Sequence, residues 1–282
     1  MSPIQSTIRE DVYTIQQKSN SRFMDAHEIV AKDFALVTRP AQNNDTQRWL
    51  IKPVAVVCTI QQLSNNRFVD AHEIAAKDFA MVTRPAQNND TQKWVLTDLG
   101  SNTYTIQQLS SNRFVDAHEI VSKDFALVTR PAQNNDTQRW VLTDLGNNVY
   151  TIQQKSNSRF MDAHEIAAKD FALVTRPAQN NNTQRWVVKP VGAVCTIQQK
   201  SNNRFMDAHE IAAKDFALVT RPAQNNDTQQ WVLLDLGAHA YTIQQRSNSR
   251  FMDAHEIASQ DFALVTRPAQ NNDTQKWVVQ PV

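Results

Sequence analysis

Residues 22–49 read RFMDAHEIVAKDFALVTRPAQNNDTQRW, and the same string returns five more times with small changes. Its aspartate recurs as Asp25, Asp70, Asp116, Asp162, Asp207 and Asp253, and its closing tryptophan as Trp49, Trp94, Trp140, Trp186, Trp231 and Trp277. Successive tryptophans stand 45, 46, 46, 45 and 46 residues apart. A fixed period of this length marks a repeat architecture, in which each copy is one supersecondary unit that buries its apolar face against its neighbours. All twelve phenylalanines and six of the seven histidines also lie inside the copies.

Within a copy the pattern is that of short strands. In VYTIQQKS, Tyr13, Ile15 and Gln17 alternate with Thr14 and Gln16, the period-2 signature of a half-buried strand. SNSR supplies turn residues. RFMDAHE then places Met24 and Ala26 on one face and Asp25 and His27 on the other. A polar AKD turn leads into FALVTR, Pro40 ends that strand, and the AQNND loop leads into TQRWLI. Four strands per copy with frequent turns predict an all-β protein. A helix over DAHEIVAKDFALV is the weaker alternative, because breakers stand on both sides of it.

The spacing carries a further signal. Copies 1 and 4 are followed by IKPVAVVC and VKPVGAVC, where others have the form VLTDLGSNTY. Trp49 and Trp186, Trp94 and Trp231, and Trp140 and Trp277 are therefore each 137 residues apart, as are Cys58 and Cys195. This reads as a threefold unit written twice: two tandem β-trefoils over residues 1–146 and 147–282, with the boundary near Gly146. A six-bladed β-propeller is the alternative for six four-stranded copies.

Composition narrows the function. The 282 residues carry 29 Lys and Arg against 28 Asp and Glu, a net charge of +1, so the electrostatic drive towards nucleic acid is missing. No apolar run approaches the roughly 20 residues of a membrane span. The opening MSPIQSTIREDVY lacks a basic segment followed by an apolar one. No signal peptide is read, and the expected setting is cytoplasmic, or export by a route without one. Two cysteines make no disulfide framework. Cys58 and Cys195 stand where other copies have Tyr13, Tyr104, Tyr150 or Tyr241, and are expected as buried free thiols.

Six Gln-x-Trp triplets, beginning with Gln47-Arg48-Trp49, resemble the QxW motif of ricin-B-type lectins. Phe23-Met24-Asp25-Ala26 resembles that family's apolar-Asp-apolar segment, and Ala35–Ala41 the strand that carries its sugar-stacking aromatic. The resemblance runs from about Val12 to Val279, and two tandem trefoils at this mass are similar in architecture to bacterial haemagglutinin components. It implies the trefoil fold, buried QxW tryptophans, and a non-enzymatic, multivalent carbohydrate-binding protein with up to six equivalent shallow sites. Its partners would be glycans or glycoconjugates, with no cofactor. A homodimer or association with a second chain is left open. This sequence departs from the family's pattern in two places: Arg39 holds the platform position, and Thr46 stands where an Asn usually precedes the motif.

A pyranose needs carboxylate or amide partners for its hydroxyls and a flat group for its apolar face. The resemblance places the carboxylates at Asp25, Asp70, Asp116, Asp162, Asp207 and Asp253. Beside them stand His27, His72, His118, His164, His209 and His255, expected to pair with those aspartates and so to make binding sensitive to pH below about 6. The guanidiniums Arg39, Arg84, Arg130, Arg176, Arg221 and Arg267 can lie flat on a sugar or fork onto an acidic one. Amides come from the paired loop residues Asn43 and Asn44, Asn88 and Asn89, Asn134 and Asn135, Asn180 and Asn181, Asn225 and Asn226, and Asn271 and Asn272. The motif glutamines Gln47, Gln92, Gln138, Gln184, Gln229 and Gln275 complete the set, or else satisfy backbone groups. A structural reading competes for the aspartates, as carboxylates that stabilise a turn. Arg22 is expected to be solvated or paired with Glu28. An Asp-x-His pair falls short of a metal coordination set. No nucleophile–base set or paired carboxylates stand apart from the repeat, so no catalytic activity is expected. A protein-interaction or toxin-targeting module with vestigial sugar sites is the alternative function.

Overall fold

The computed structural model describes residues 4–282 and is all-β among them, with only three-residue 3-10 turns besides strands. Copy 1 shows the unit. Strands Asp11–Gln17, Phe23–Ala26 and Leu36–Arg39 are followed by one that starts at Trp49. The two short strands form an antiparallel hairpin with Phe23 opposite Arg39 and Ala26 opposite Leu36. In place of the alternative helix there is one 3-10 turn, Val30–Lys32. Asp33 and Phe34 after it have φ of 52° and 51°, a left-handed pair that no α-helix passes through.

The fourth strand decides how copies join. Trp94–Asp98 and Trp140–Asp144 turn back through TDLG loops onto the next copy's first strand. Those loops reverse because Gly100 (φ 86°), Ser101 and Asn102, and Gly146 (φ 90°), Asn147 and Asn148, all adopt positive φ. Lys52-Pro53-Val54 and Lys189-Pro190-Val191 cannot do this: proline fixes φ near −65° and valine avoids the left-handed region. The chain runs straight on as 14-residue strands, Trp49–Gln62 and Trp186–Gln199.

Those straight runs are where the chain changes domain. One compact unit, trefoil I, comprises Ala55–Val191 with Ile4 and Gln5; the other, trefoil II, comprises Ser6–Val54 and Gly192–Val282. Trefoil I therefore holds copies 2, 3 and 4, and trefoil II holds copies 5, 6 and 1. The expected boundary near Gly146, with domains 1–146 and 147–282, is corrected: Gly146 sits in a hairpin inside trefoil I, with Leu142 paired to Ile152 and Asp144 to Tyr150. Trefoil II closes by pairing the first strand, Asp11–Gln17, with the last, Lys276–Pro281, from Tyr13 opposite Pro281 to Gln17 opposite Trp277. Closure by threes excludes a ring of six blades.

The cores follow the same division. Trp49, Trp231 and Trp277 pack with Ile15, Ile197 and Ile243 in trefoil II; Trp94, Trp140 and Trp186 pack with Ile60, Ile106 and Ile152 in trefoil I. All six indoles are 0% exposed, and each contributes a large apolar area, which explains the invariance of the position across copies. Cys195 and Cys58 lie buried in these two cores as free thiols, and burial pushes both thiols far above the ordinary range. Gly192, where trefoil II resumes, packs against the facing strand so closely that a Cβ would lie 2.3 Å from the Leu233 carbonyl oxygen.

Candidate functional site

In every copy the aspartate, glutamine and tryptophan form one internal knot. Asp25 Oδ1 accepts the Ala26 N–H at 2.7 Å and Oδ2 accepts Gln47 Nε2 at 3.2 Å. Gln47 Nε2 also donates to the Pro40 carbonyl at 2.9 Å, its Oε1 accepts the Gln42 N–H at 2.8 Å, and Trp49 Nε1 donates to the Met24 carbonyl at 3.1 Å. The other five copies repeat these bonds within 0.1 Å. Gln47, Gln92, Gln138, Gln184, Gln229 and Gln275 thus have both amide ends spent on backbone and carboxylate, and they satisfy the loop rather than a ligand. Asp25, Asp70, Asp116, Asp162 and Asp207 are no more than 1% exposed. The expectation of a ligand-facing carboxylate is corrected: the RPAQNND loop folds over that face of the strand, and the structural reading of the aspartate holds.

The histidines have a different partner from the one expected. His27 Nε2 lies 2.8 Å from Asp261, which follows the 3-10 turn of copy 6, and Nδ1 lies 3.2 Å from Arg39 Nη2. A guanidinium only donates, so the geometry pairs Nδ1 as acceptor from Arg39 with Nε2–H as donor to Asp261. His209 meets Asp33, and His255 meets Asp215, closing a cycle through copies 1, 6 and 5. His72–Asp170, His118–Asp78 and His164–Asp124 close the same cycle in trefoil I, at 2.7–2.8 Å. The His–Asp pair therefore links copies rather than ordering one copy's own aspartate.

Two other groups reinforce this latch. Lys32, Lys77, Lys123, Lys169 and Lys214 reach the same carboxylates at 3.1–3.8 Å; copy 6 has Gln260 in that position. Partial burial alone would raise the Asp33, Asp124 and Asp261 carboxyls, yet the His and Lys partners hold them below the ordinary value. Asp170 is lowered chiefly by its bond to His72. Arg22 does not pair with Glu28. Its Nη2 donates to the Thr38 carbonyl at 2.6 Å and its guanidinium lies 3.8 Å over the Phe262 ring of copy 6. All six equivalents stack likewise on a neighbouring copy's phenylalanine, at 3.7–3.8 Å. Partial burial, then the adjoining Arg39, lower the Arg22 pKa. Glu28 instead accepts from Ser201 and Asn202. The left-handed Asp33–Phe34 pair, costing about 1–3 kcal/mol per residue, aims the carboxylate, the ring and the Phe34 carbonyl at copy 5, where Thr220 N–H bonds that carbonyl at 3.0 Å.

Beside this framework in copy 6 is an open cavity of about 280 Å³, lined by Asp253, Ala254, His255, Glu256, Ile257, Gln260, Arg267, Gln270, Asn272 and Thr274. It brings together four of the residues expected there: Asp253, His255, Arg267 and Asn272. Asn271 and Gln275 do not line it. The first asparagine of each loop (Asn43, Asn88, Asn134, Asn180, Asn225 and Asn271) is exposed at φ 52–55°, a turn role. The second (Asn44, Asn89, Asn135, Asn181, Asn226 and Asn272) bonds the neighbouring Gln and Thr of its loop. In copy 4, a cavity of about 100 Å³ touches Asn180, Asn181 and Gln184, but not Asp162, His164 or Arg176.

Sequence reading missed Ala254, Glu256, Ile257, Gln260, Gln270 and Thr274. Ile257 is the instructive omission: it is 52% exposed, and an isoleucine after DAHE in all six copies, where a strand-to-turn transition asks for polarity, was the available signal. Asp33 and Phe34 carried no such signal, since nothing in one copy says which other copy it will meet. Among the described residues no group of three or more His, Cys, Asp or Glu side chains is arranged to hold a metal ion, and no helix is long and apolar enough to cross a membrane.

Known proteins place this arrangement. None of the curated protein sequences matches the chain. Similar solved structures include a designed threefold-symmetric protein, ThreeFoil, at 18% identity and TM-score 0.43, covering 47% of this chain and 97% of that one. A Polyporus squamosus lectin bound to a sialylated epitope is similar at 16% and 0.42, covering half of each chain. A Macrolepiota procera ricin B-like lectin in complex with lactose is similar at 15% and 0.39, covering 47% and 94%. The family model described as ricin-type beta-trefoil lectin domain-like matches residues 90–175, 136–220 and 182–266. These windows together take in more than half of the sequence, and the chain belongs to the ricin-type β-trefoil lectin-like family.

Proposed function

We propose that this chain is a non-enzymatic carbohydrate-binding protein whose sugar sites lie over the His–Arg end of each DAHE hairpin, in up to six copies. The observation that carries this reading is the cavity of copy 6, whose lining combines an exposed aliphatic side chain, Ile257, with Arg267, Gln270 and Asn272 in a lectin-like fold. Its volume, about 280 Å³, falls just under the roughly 300–1,000 Å³ of ligand pockets and suits one sugar ring. Ile257 takes the role of the missing aromatic, as an apolar surface for the ring's C–H face.

Catalysis is not supported. Asp253 is held through both oxygens by Ala254 N–H and Gln275, and Glu256 is tied through Oε1 to Ser19 and Asn20, so the cavity offers at most one carboxylate and no acid–base pair of the kind glycoside hydrolysis needs. Shallow sites of this kind bind weakly one at a time, and repetition raises avidity by about 10²–10⁴ on a glycan-bearing surface. The reading is tested on a glycan array with the folded full chain. Hits that a soluble monosaccharide competes away are expected. An array without hits would favour the protein-interaction alternative.

A further inference from the structure

Resting on that reading, we infer that the copy 6 pocket selects a saccharide carrying a carboxylate, with Arg267 as its specificity-determining partner. The hydrogen-bond inventory of the pocket leads there. Its acceptors are largely used internally. Asp253 Oδ1 and Oδ2 take the Ala254 N–H and Gln275 Nε2; Asn272 Oδ1 takes Thr274 Oγ1, and Gln270 Oε1 takes Asn272 Nδ2. Glu256 Oε1 takes Ser19 and Asn20, which leaves Oε2 as the pocket's one unused carboxylate oxygen.

The donors are not used up. Among the described residues Arg267 hydrogen-bonds only through Nη2, to the His255 ring, so Nε and Nη1 remain. Gln270 Nε2 and the Gln260 side-chain Nε2 also have no hydrogen bond among the described residues; Gln260 Oε1 is the one unspent amide acceptor beside them. A lining rich in unspent donors and poor in unspent acceptors fits a ligand group that only accepts, and a guanidinium fork meets a carboxylate bidentately. A neutral sugar offers hydroxyls that must both donate and accept, and finds few acceptors here. Three anionic neighbours stand against this preference, and two of them are already engaged: Asp253 is 3% exposed with both oxygens bonded, and Asp215 is bonded to His255 at 2.6 Å, which leaves the exposed Glu256, held through Oε1 by Ser19 and Asn20, as the one carboxylate the Arg267 fork must outweigh. Arg250, stacked on Phe216 at 3.8 Å, has its pKa lowered by burial and then by Arg267, which shows the two cations acting in one region. The same arginine stands in all six copies.

The test compares hexuronates with their own methyl esters, identical in stereochemistry but uncharged, as competitors of the full chain on a glycan surface. Each free acid is expected to compete about tenfold better than its ester, as one charge-assisted pair supplies, with the difference shrinking in 0.5 M salt. Replacing all six platform arginines by Gln should remove the difference while a Lys-substituted chain keeps part of it. Circular dichroism verifies the fold of each. Esters competing as well as acids, or a preference that survives Arg→Gln, would overturn the inference and leave the lectin reading intact. Binding of no sugar by folded wild-type chain would overturn both.

Discussion

Asp253 was legible in the sequence as important, and its chemistry was not. An aspartate between two apolar residues on a short strand reads equally as a sugar ligand or as a buried acceptor. The decision rests with the loop that covers it, whose path no alternation pattern contains. Because both oxygens of Asp253 accept hydrogen bonds, Asp253→Asn turns one acceptor into a donor aimed at another donor. It should destabilise trefoil II by about 1–3 kcal/mol, seen as a lower urea midpoint, with sugar binding falling only as folding does. Loss of binding at an unchanged midpoint would restore Asp253 to direct ligand contact. The tryptophans, by contrast, were readable outright. A large apolar residue at fixed spacing has one place to go.

At the scale of elements, strands and turns followed from alternation and from glycine and asparagine, and the 3-10 turn with its left-handed Asp–Phe pair did not. Those residues are strained locally and rewarded across copies, so a single copy's sequence gives no reason for them. The latch they build has a pH signature. Carboxyls near 3.9 when unfolded are lowered in the fold at Asp33, Asp124, Asp170 and Asp261. Their contribution is complete above about pH 4 and is lost as pH falls through the lowered values. Urea midpoints should therefore drop below pH 4 more steeply in the wild type than in a chain with these four aspartates replaced by Asn. Parallel profiles would mean the latch carries no stability.

For the whole molecule, six copies and two threefold units were evident from the tryptophan spacing, whereas the grouping was displaced by one copy. The KPV segments mark it: neither connection has a residue at positive φ, Gly192 included, so each carries the chain onward instead of reversing it. Residues 55–191, expressed alone, should unfold cooperatively with the three indoles of copies 2–4 emitting at buried wavelengths. Residues 1–146 should not, because copy 1 is then separated from copies 5 and 6. Cooperative unfolding of 1–146 with no such transition in 55–191 would reinstate the boundary at Gly146.

The seven histidines allow the binding proposal to be watched directly. Six lie in the DAHE hairpins, while His239 sits exposed in the turn between Trp231–Gly237 and Ala240–Gln245, outside the cavity lining. Imidazole resonances are to be followed by NMR as a sugar identified on the array is added to the full chain. The hairpin signals, His255 among them, should shift and saturate while His239 stays fixed. Saturable binding that leaves all six hairpin imidazoles unmoved would place the sugar elsewhere and contradict the site.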